Sequence, residues 1–133
     1  MNVLIDTSVW SLALRRQHLT EAEQEIVNVF KDLIRDARVA IIGPIRQELL
    51  SGIKKHEKFE TLKLKLSIFK DIQILEEDYI EAAYCYNICR GNGVQGTHID
   101  FLICSIAIRM SLPIFTLDKD FTSYAKHLPL KLL

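Results

Sequence analysis

Residues 3–10 read Val3-Leu4-Ile5-Asp6-Thr7-Ser8-Val9-Trp10, and the architecture can be worked out from them. Three consecutive apolar residues are too few for a buried helix and read as a buried strand. Asp6, Thr7 and Ser8 carry the short oxygen side chains that start helices, so a helical segment begins at Val9-Trp10. A strand that turns at once into a helix is the opening of an alternating α/β chain.

The same alternation runs outward from there. Thr20-Glu21-Ala22-Glu23 has the capping-box pattern, and the helix after it carries Ile26, Phe30, Leu33, Ile34 and Ala37 on one stripe. Val39-Ala40-Ile41-Ile42 is a second buried strand, ended by Gly43-Pro44, with Pro44 at the first position of a helix running to about Gly52. Phe59, Leu62, Leu66 and Phe69 mark another amphipathic helix, and Ile72-Gln73-Ile74 a short strand. A helix over Glu76 to Arg90 carries Ile80, Ala83, Tyr84 and Ile88, and Gly91-Asn92-Gly93 stops it. Thr97 caps a helix apolar on almost every side (Ile99, Leu102, Ile103, Ile106, Ala107, Met110), the mark of a central helix. Ile114-Phe115-Thr116 is a strand. A short helix and an edge strand near Lys131-Leu132 finish the chain. Strands alternating with helices predict a parallel sheet covered on both faces.

Length and composition agree with one compact domain over residues 1–133. The chain is 49% hydrophobic and 26% charged, which excludes a disordered chain. Seventeen basic and seventeen acidic residues cancel, so any polyanion site must be local. Cys85, Cys89 and Cys104 form no C-x-x-C pair and predict a reduced, cytosolic chain. Asp6 interrupts the only apolar run at the N-terminus, so no signal peptide is expected. The longest uncharged apolar stretch, Phe101 to Ile108, is far below the ~20 residues that cross a bilayer, so no membrane partner is expected.

In open parallel sheets, ligands bind beyond the carboxyl ends of the strands. Asp6 directly follows the first strand, Glu48 lies in the helix after the second, and Asp118 lies two residues past Thr116. Asp100 is in the first turn of the apolar helix that leads to the last strand. Each acid has an ordinary reading: Asp6, Asp100 and Asp118 as helix caps, Glu48 as a solvated helix residue. Their joint placement on one rim argues for more. Two unit charges about 5 Å apart cost roughly 3 kcal/mol at an effective dielectric near 20, so such a cluster takes up protons or holds a cation. With no histidine or cysteine ligands beside them, hard oxygen donors favour Mg²⁺ or Mn²⁺ over zinc. Such a site activates water and clamps phosphoryl oxygens.

Four motifs now resemble those of PIN-domain ribonucleases, in order and over essentially the whole chain. They are Val3 to Trp10; Gln47-Glu48-Leu49-Leu50-Ser51-Gly52; Asp100-Phe101-Leu102-Ile103-Cys104-Ser105-Ile106-Ala107; and Leu112-Pro113-Ile114-Phe115-Thr116-Leu117-Asp118-Lys119-Asp120-Phe121. Size and aliphatic spacing are most similar to the VapC-type toxins of bacterial toxin–antitoxin pairs. The resemblance implies a three-layer α/β/α sandwich around a parallel sheet of about five strands. It implies Mg²⁺- or Mn²⁺-dependent endoribonuclease activity leaving 5′-phosphate and 3′-hydroxyl ends. Asp6, Glu48, Asp100 and Asp118 would be the acidic set, with Asp6 and Asp100 the most direct metal ligands. Ser8 and Thr116 match the family's small hydroxyl positions, and Thr7 is a further candidate. Family members commonly dimerise and are held inactive by a small cognate antitoxin. This sequence departs from the pattern at Leu117, where a polar residue is common, and at Cys104, where a small residue is usual. Asp120 is an alternative to Asp118 as the fourth acid.

Other signals carry less. Gly91 to Gly96 fits G-x-G-x-x-G but comes after a helix rather than a strand, so it reads as a loop. No G-x-x-x-x-G-K-[ST] occurs, which excludes a P-loop. A haloacid-dehalogenase-type phosphatase wants a second Asp where Ser8 stands. Residues 54–70 hold six lysines against Glu57 and Glu60, either a solvated face or an RNA-backbone contact. Arg15, Arg16 and Arg46 lie close in sequence to the acids and are phosphate-binding candidates. His98 reads as a surface or capping residue, Trp10 as core or dimer interface, and no exposed base-stacking platform is evident. Two other functions stay open: a catalytically weak PIN-like module that binds RNA or a protein, and a structure-specific DNA nuclease.

Overall fold

The computed structural model describes residues 1–15 and 17–133, so Arg16 lies outside the described residues. Its core is a parallel sheet. β1 (Val3–Ile5) is central and wholly buried, with β2 (Val39–Ala40) on one side and β3 (Ile114–Phe115) on the other. Leu4 pairs with both Ala40 and Ile114.

Among the described residues the sheet is narrower than expected: three strands rather than about five. At each edge the expected further strand is reduced to a single parallel bridge, Ile41 to Asp71 and Ile114 to Leu132. The causes are local. After Asp71 only Ile72 donates back to the sheet, to the Ile41 carbonyl at 2.9 Å. The Asp78 carboxylate then accepts from the Leu75 N–H at 2.8 Å and turns the chain into a helix. At the other edge Pro129 has no N–H to donate, which leaves only a few residues to pair.

Among the described residues seven helices surround the sheet: α1 (Thr7–Leu14), α2 (Glu21–Arg35), α3 (Gly43–Leu50), α4 (His56–Leu66), α5 (Glu76–Gly91), α6 (His98–Met110) and α7 (Asp120–Ala125). Their starts obey local chemistry. Thr20 and Glu23 form the reciprocal capping box, Pro44 sits in the first turn of α3, and Thr97 accepts from the Asp100 N–H at 3.0 Å. α6 is buried from Phe101 through Ala107 and ends where Ser111 takes the left-handed conformation, φ 54°.

Chain order fixes the layers. From β1 the chain moves outward to β2 and Asp71, then returns over the sheet through α5 and α6 to β3. With right-handed crossovers, that reversal puts α1 to α4 on one face and α5 and α6 on the other. The result is an α/β/α sandwich with a switch point between the carboxyl ends of β1 and β3.

α5 holds the clearest departure from the sequence pattern. Its buried residues are Asp78, Ala82, Cys85 and Cys89, whereas Ile80, Tyr84 and Ile88 face outward. Asp78 pairs with Arg109 of α6 through two bonds of 2.7 and 2.9 Å. Burial raises the Asp78 pKa, but the guanidinium and the Leu75 N–H outweigh it and hold the carboxyl below the usual carboxylate value. Trp10 belongs to the core, edge-on to Phe30 and Phe69 at 4.9 and 5.2 Å. The three cysteines are free and buried, and burial pushes the Cys85 thiol up to about 11, with Glu81 and Cys89 adding.

Candidate metal centre at the switch point

Asp6 begins the site because β1 ends beneath it. Its N–H makes one further sheet-type bond, to the Phe115 carbonyl at 2.9 Å, which fixes its side chain beside the end of β3. Asp6 occupies the N-cap position of α1, yet its carboxylate makes no capping bond. Instead Thr116 and Ser8 both donate to Asp6 Oδ2, at 2.7 and 2.8 Å. Among the described residues nothing donates to Oδ1. A buried carboxylate, 8% exposed, is thus oriented by two hydroxyls with one oxygen left over.

Ser8 and Thr116 do a second job. The Leu117 N–H donates to Ser8 Oγ and the Asp118 N–H to Thr116 Oγ1, each at 3.0 Å. These bonds lay the segment after β3 across the start of α1. Asp118 Oδ1 accepts from the Asp120 N–H at 2.9 Å, a turn ahead of α7 whose N-cap is Lys119, so Asp118 is not the helix cap itself.

Asp100 reaches the same place from α6. Its carboxylate accepts from the buried Tyr124 hydroxyl at 2.7 Å. Burial raises the Asp100 pKa, the Tyr124 and Thr97 bonds pull it down, and the charges of Asp118 and Asp6 push it up again. The balance lies above the usual value. The Tyr124 phenol is raised too, first by burial and then by Asp100, so it stays a donor.

One carboxylate oxygen each from Asp100, Asp118 and Asp120 lie within 4.8 Å of one another. That spread is close to the ~4.2 Å between opposite ligands of a Mg²⁺-sized ion. The donor set is carboxylate only, which suits a hard divalent cation. Asp6 is outside this trio but coupled to it through Thr116 and through its charge on Asp100. Glu48 lies on α3, outside the trio: it is exposed, and Thr7 donates to its Oε2 at 2.9 Å. The structure therefore brings Asp100, Asp118 and Asp120 closest together, with Asp6 linked to Asp118 through Thr116, whereas Glu48 is bonded to Thr7 and stands outside the trio.

The arginines separate. Arg46 donates to Asp71 Oδ1 at 3.0 Å, to the Leu66 carbonyl at 2.9 Å and to the Phe69 carbonyl. Its guanidinium ties α3 to the end of α4, which leaves it engaged within the fold rather than offered to a phosphate. Arg15 pairs loosely with Glu23 at 3.4 Å on an exposed surface. It lines an open groove of about 920 Å³ together with Glu48, Lys58 and Lys65. Two of the six lysines in the 54–70 run thus face this groove, and Lys63 pairs with Glu60.

Three features escaped the sequence. Tyr124 is one, signalled only by the rule that a buried phenol needs a partner. Gly96 is another: a methyl there would stand 2.7 Å from Tyr124 Cζ and 2.8 Å from Phe101 Cε2. The G-x-G-x-x-G stretch is therefore a helix end, with Gly93 at φ 78°, and then a close approach at Gly96. The third is an aromatic stack, His98 on Tyr86 at 5.2 Å and 16°.

No curated protein matches the sequence. Several solved structures share the fold. FitAcB from Neisseria gonorrhoeae superposes with a TM-score of 0.78 at 20% identity, over 98% of this chain and 96% of that one. VapBC2 from Rickettsia felis, bound to a DNA fragment from their promoter, gives 0.77 at 21% identity, over 100% and 98%. A toxin–antitoxin complex from Klebsiella pneumoniae gives 0.67 at 18% identity, over 90% of each chain. The PIN domain model matches residues 3–127, almost the whole sequence, and the chain belongs to the PIN domain family.

Proposed function

We propose that this protein is a divalent-metal-dependent endoribonuclease, the toxin of a VapBC-type toxin–antitoxin pair. One observation carries the reading: three carboxylates converge at the switch point of a PIN fold, with Asp6 oriented beside them. Mg²⁺ or Mn²⁺ is the ion these donors suit: the geometry favours Asp100, Asp118 and Asp120 as its holders, and the resemblance adds Asp6 as a direct ligand and Glu48 to complete the set. When bound, such an ion neutralises phosphoryl oxygens and acidifies water.

The chain's own residues prepare the rest. Ser8 and Thr116 fix one oxygen of Asp6 and leave the other to face the ion. Tyr124 keeps Asp100 in a single orientation. Thr7 steadies Glu48 at the rim. The groove beside Glu48, with Arg15, Lys58 and Lys65 along it, suits the backbone of a single RNA strand, because phosphate contacts dominate such binding. The named toxin–antitoxin assemblies among the structural neighbours support a small antitoxin as partner. The reading also makes the protein cytoplasmic and, by the resemblance, a homodimer. Among the described residues no helix is long and apolar enough to cross a membrane.

The test is incubation of purified cellular RNA with the purified protein in Mn²⁺ and in EDTA. Discrete metal-dependent cuts support the nuclease. A folded protein that binds RNA without cutting it supports the binding module instead.

A further inference from the structure

α5 and α6 meet at an aromatic stack that the acid cluster does not use. His98 opens α6 and lies on Tyr86 of α5, with ring centroids 5.2 Å apart and planes 16° apart. Tyr86 is half-buried and His98 is exposed, so the tyrosine is the fixed member and the imidazole keeps an open face. Both rings border a groove of about 550 Å³ that Asn87 and Ile99 also line, a size that suits one small planar ligand. The sequence offers no such platform, because its two rings come from different helices and only the fold stacks them.

The stack is joined to the acids by packing. Tyr86 meets the buried Phe101 edge-on at 5.6 Å, Phe101 lies against Tyr124 at 4.8 Å, and Tyr124 donates to Asp100. His98 and Asp100 share the first turn of α6, about 3 Å apart along its axis. Charge points the same way. Arg90 donates to the Tyr86 hydroxyl at 3.0 Å, with its guanidinium 5.9 Å from the ring centroid. Among the described residues Arg90 is in no ion pair, so the rest of its fork of donors is open to an anion. The acids of α5, Glu76, Glu77 and Glu81, lie toward its other end, more than one turn from Asn87.

A fixed ring pair, a side-chain amide and an unpaired guanidinium are the parts that hold one unpaired nucleotide. We propose that the open face of His98 stacks a purine base of the RNA strand held at the acids, with Asn87 at the edge of that base and Arg90 on its phosphate. A purine is favoured because sequence preference at such platforms follows stacking strength, which is greater for a two-ring base. The groove beside Glu48 contacts backbone, whereas this stack selects where along the strand the acids act. The inference rests on the ribonuclease reading for its ligand, yet stacking is measured without cutting, so either claim can fail without the other.

The probe is a short oligouridine carrying a single 2-aminopurine, whose fluorescence falls when the base stacks. In EDTA nothing is cut, and titration with the full chain should quench the probe. His98→Ala should abolish the quench and weaken binding about tenfold or more, the usual effect of removing a stacked ring, while circular dichroism stays unchanged. His98→Phe keeps a ring there and should preserve both. Arg90→Ala should weaken binding about threefold or more, as loss of a phosphate contact does, with the quench at saturation unchanged. In Mn²⁺, wild-type cuts in an oligouridine with one adenosine should fall at a fixed distance from that adenosine, and His98→Ala should cut without that preference. Quenching that His98→Ala relieves, with no cutting in Mn²⁺, would count against the ribonuclease and keep the base site. No quenching by the wild type, or equal quenching by His98→Ala, overturns the base site even if the RNA is cut.

Discussion

Tyr124 donates its phenolic hydrogen to Asp100 Oδ2 at 2.7 Å across 24 residues of chain. The last helix thereby holds a carboxylate presented by the central one. Tyr124→Phe keeps the ring and deletes the bond. The loss of a buried donor should cost about 1–3 kcal/mol in urea unfolding. It should also weaken Mn²⁺ binding by about tenfold or more, as loss of a ligand's supporting hydrogen bond does. An unchanged Mn²⁺ affinity would show that Asp100 needs no such support.

Gly96 stands where a side chain would strike that same phenol. Gly96→Ala should destabilise the fold by about 1–3 kcal/mol through overpacking. Because the methyl acts on Tyr124, its effect should combine non-additively with Tyr124→Phe. Additive losses in the double variant would place the strain elsewhere.

Asp100 predicts opposite effects with and without metal. Its pKa is raised, so without metal its ionisation opposes folding: stability is greater below the raised value and falls as pH rises through it. Asp100→Asn should therefore stabilise the metal-free protein at pH 7 by on the order of 1 kcal/mol. The wild type alone should gain from divalent ion, by roughly 2.7 kcal/mol at a hundredfold excess over the dissociation constant. Melting curves with EDTA and with Mn²⁺ for both proteins check the pair of signs.

Asp78 behaves the other way. Its folded pKa is lowered, so its stabilisation is complete above the unfolded value of 3.8 and is lost as pH falls through the lower folded value. Asp78→Ala should cost at least the ~1 kcal/mol of a lost helix cap at pH 7. The penalty should shrink as pH falls from about 3.8, where the unfolded chain takes up the proton, to the lower folded value, where the native carboxyl is protonated as well. A penalty independent of pH would show that the ion pair with Arg109 contributes nothing to stability.

The two arginines near the acids should separate cleanly. Arg46→Ala should lower stability by about 2 kcal/mol, because it strands acceptors at the end of α4. Arg15→Ala should leave stability unchanged and weaken RNA binding about threefold or more, as loss of a phosphate contact does. Filter binding at fixed salt, beside urea unfolding, distinguishes them.

The strand ends were legible because a carboxylate directly after a buried apolar triplet has few places to go. Asp6 could be located that way, Asp118 by its place two residues past the last strand, and Thr97 and Thr20 announced their helices by capping chemistry. What failed was whatever depended on contacts distant in sequence. Ile72-Gln73-Ile74 satisfies the strand pattern, but the Asp78 cap turns the chain first. Ile80, Tyr84 and Ile88 have core-like spacing, yet the Asp78–Arg109 pair and Cys85 and Cys89 take the inner face. Arg46 is close in sequence to Glu48 and is drawn away by Asp71, 25 residues on.

If the acids at the ends of β1 and β3 form one divalent-cation site, the metal-free protein must bind Mn²⁺ through them. Isothermal titration of that protein with Mn²⁺, beside Asp100→Asn, asks this with no substrate or partner in the way. Saturable binding in the wild type, weakened at least tenfold in the variant, is the predicted result. No binding by the folded wild type, or equal binding by both proteins, would contradict it.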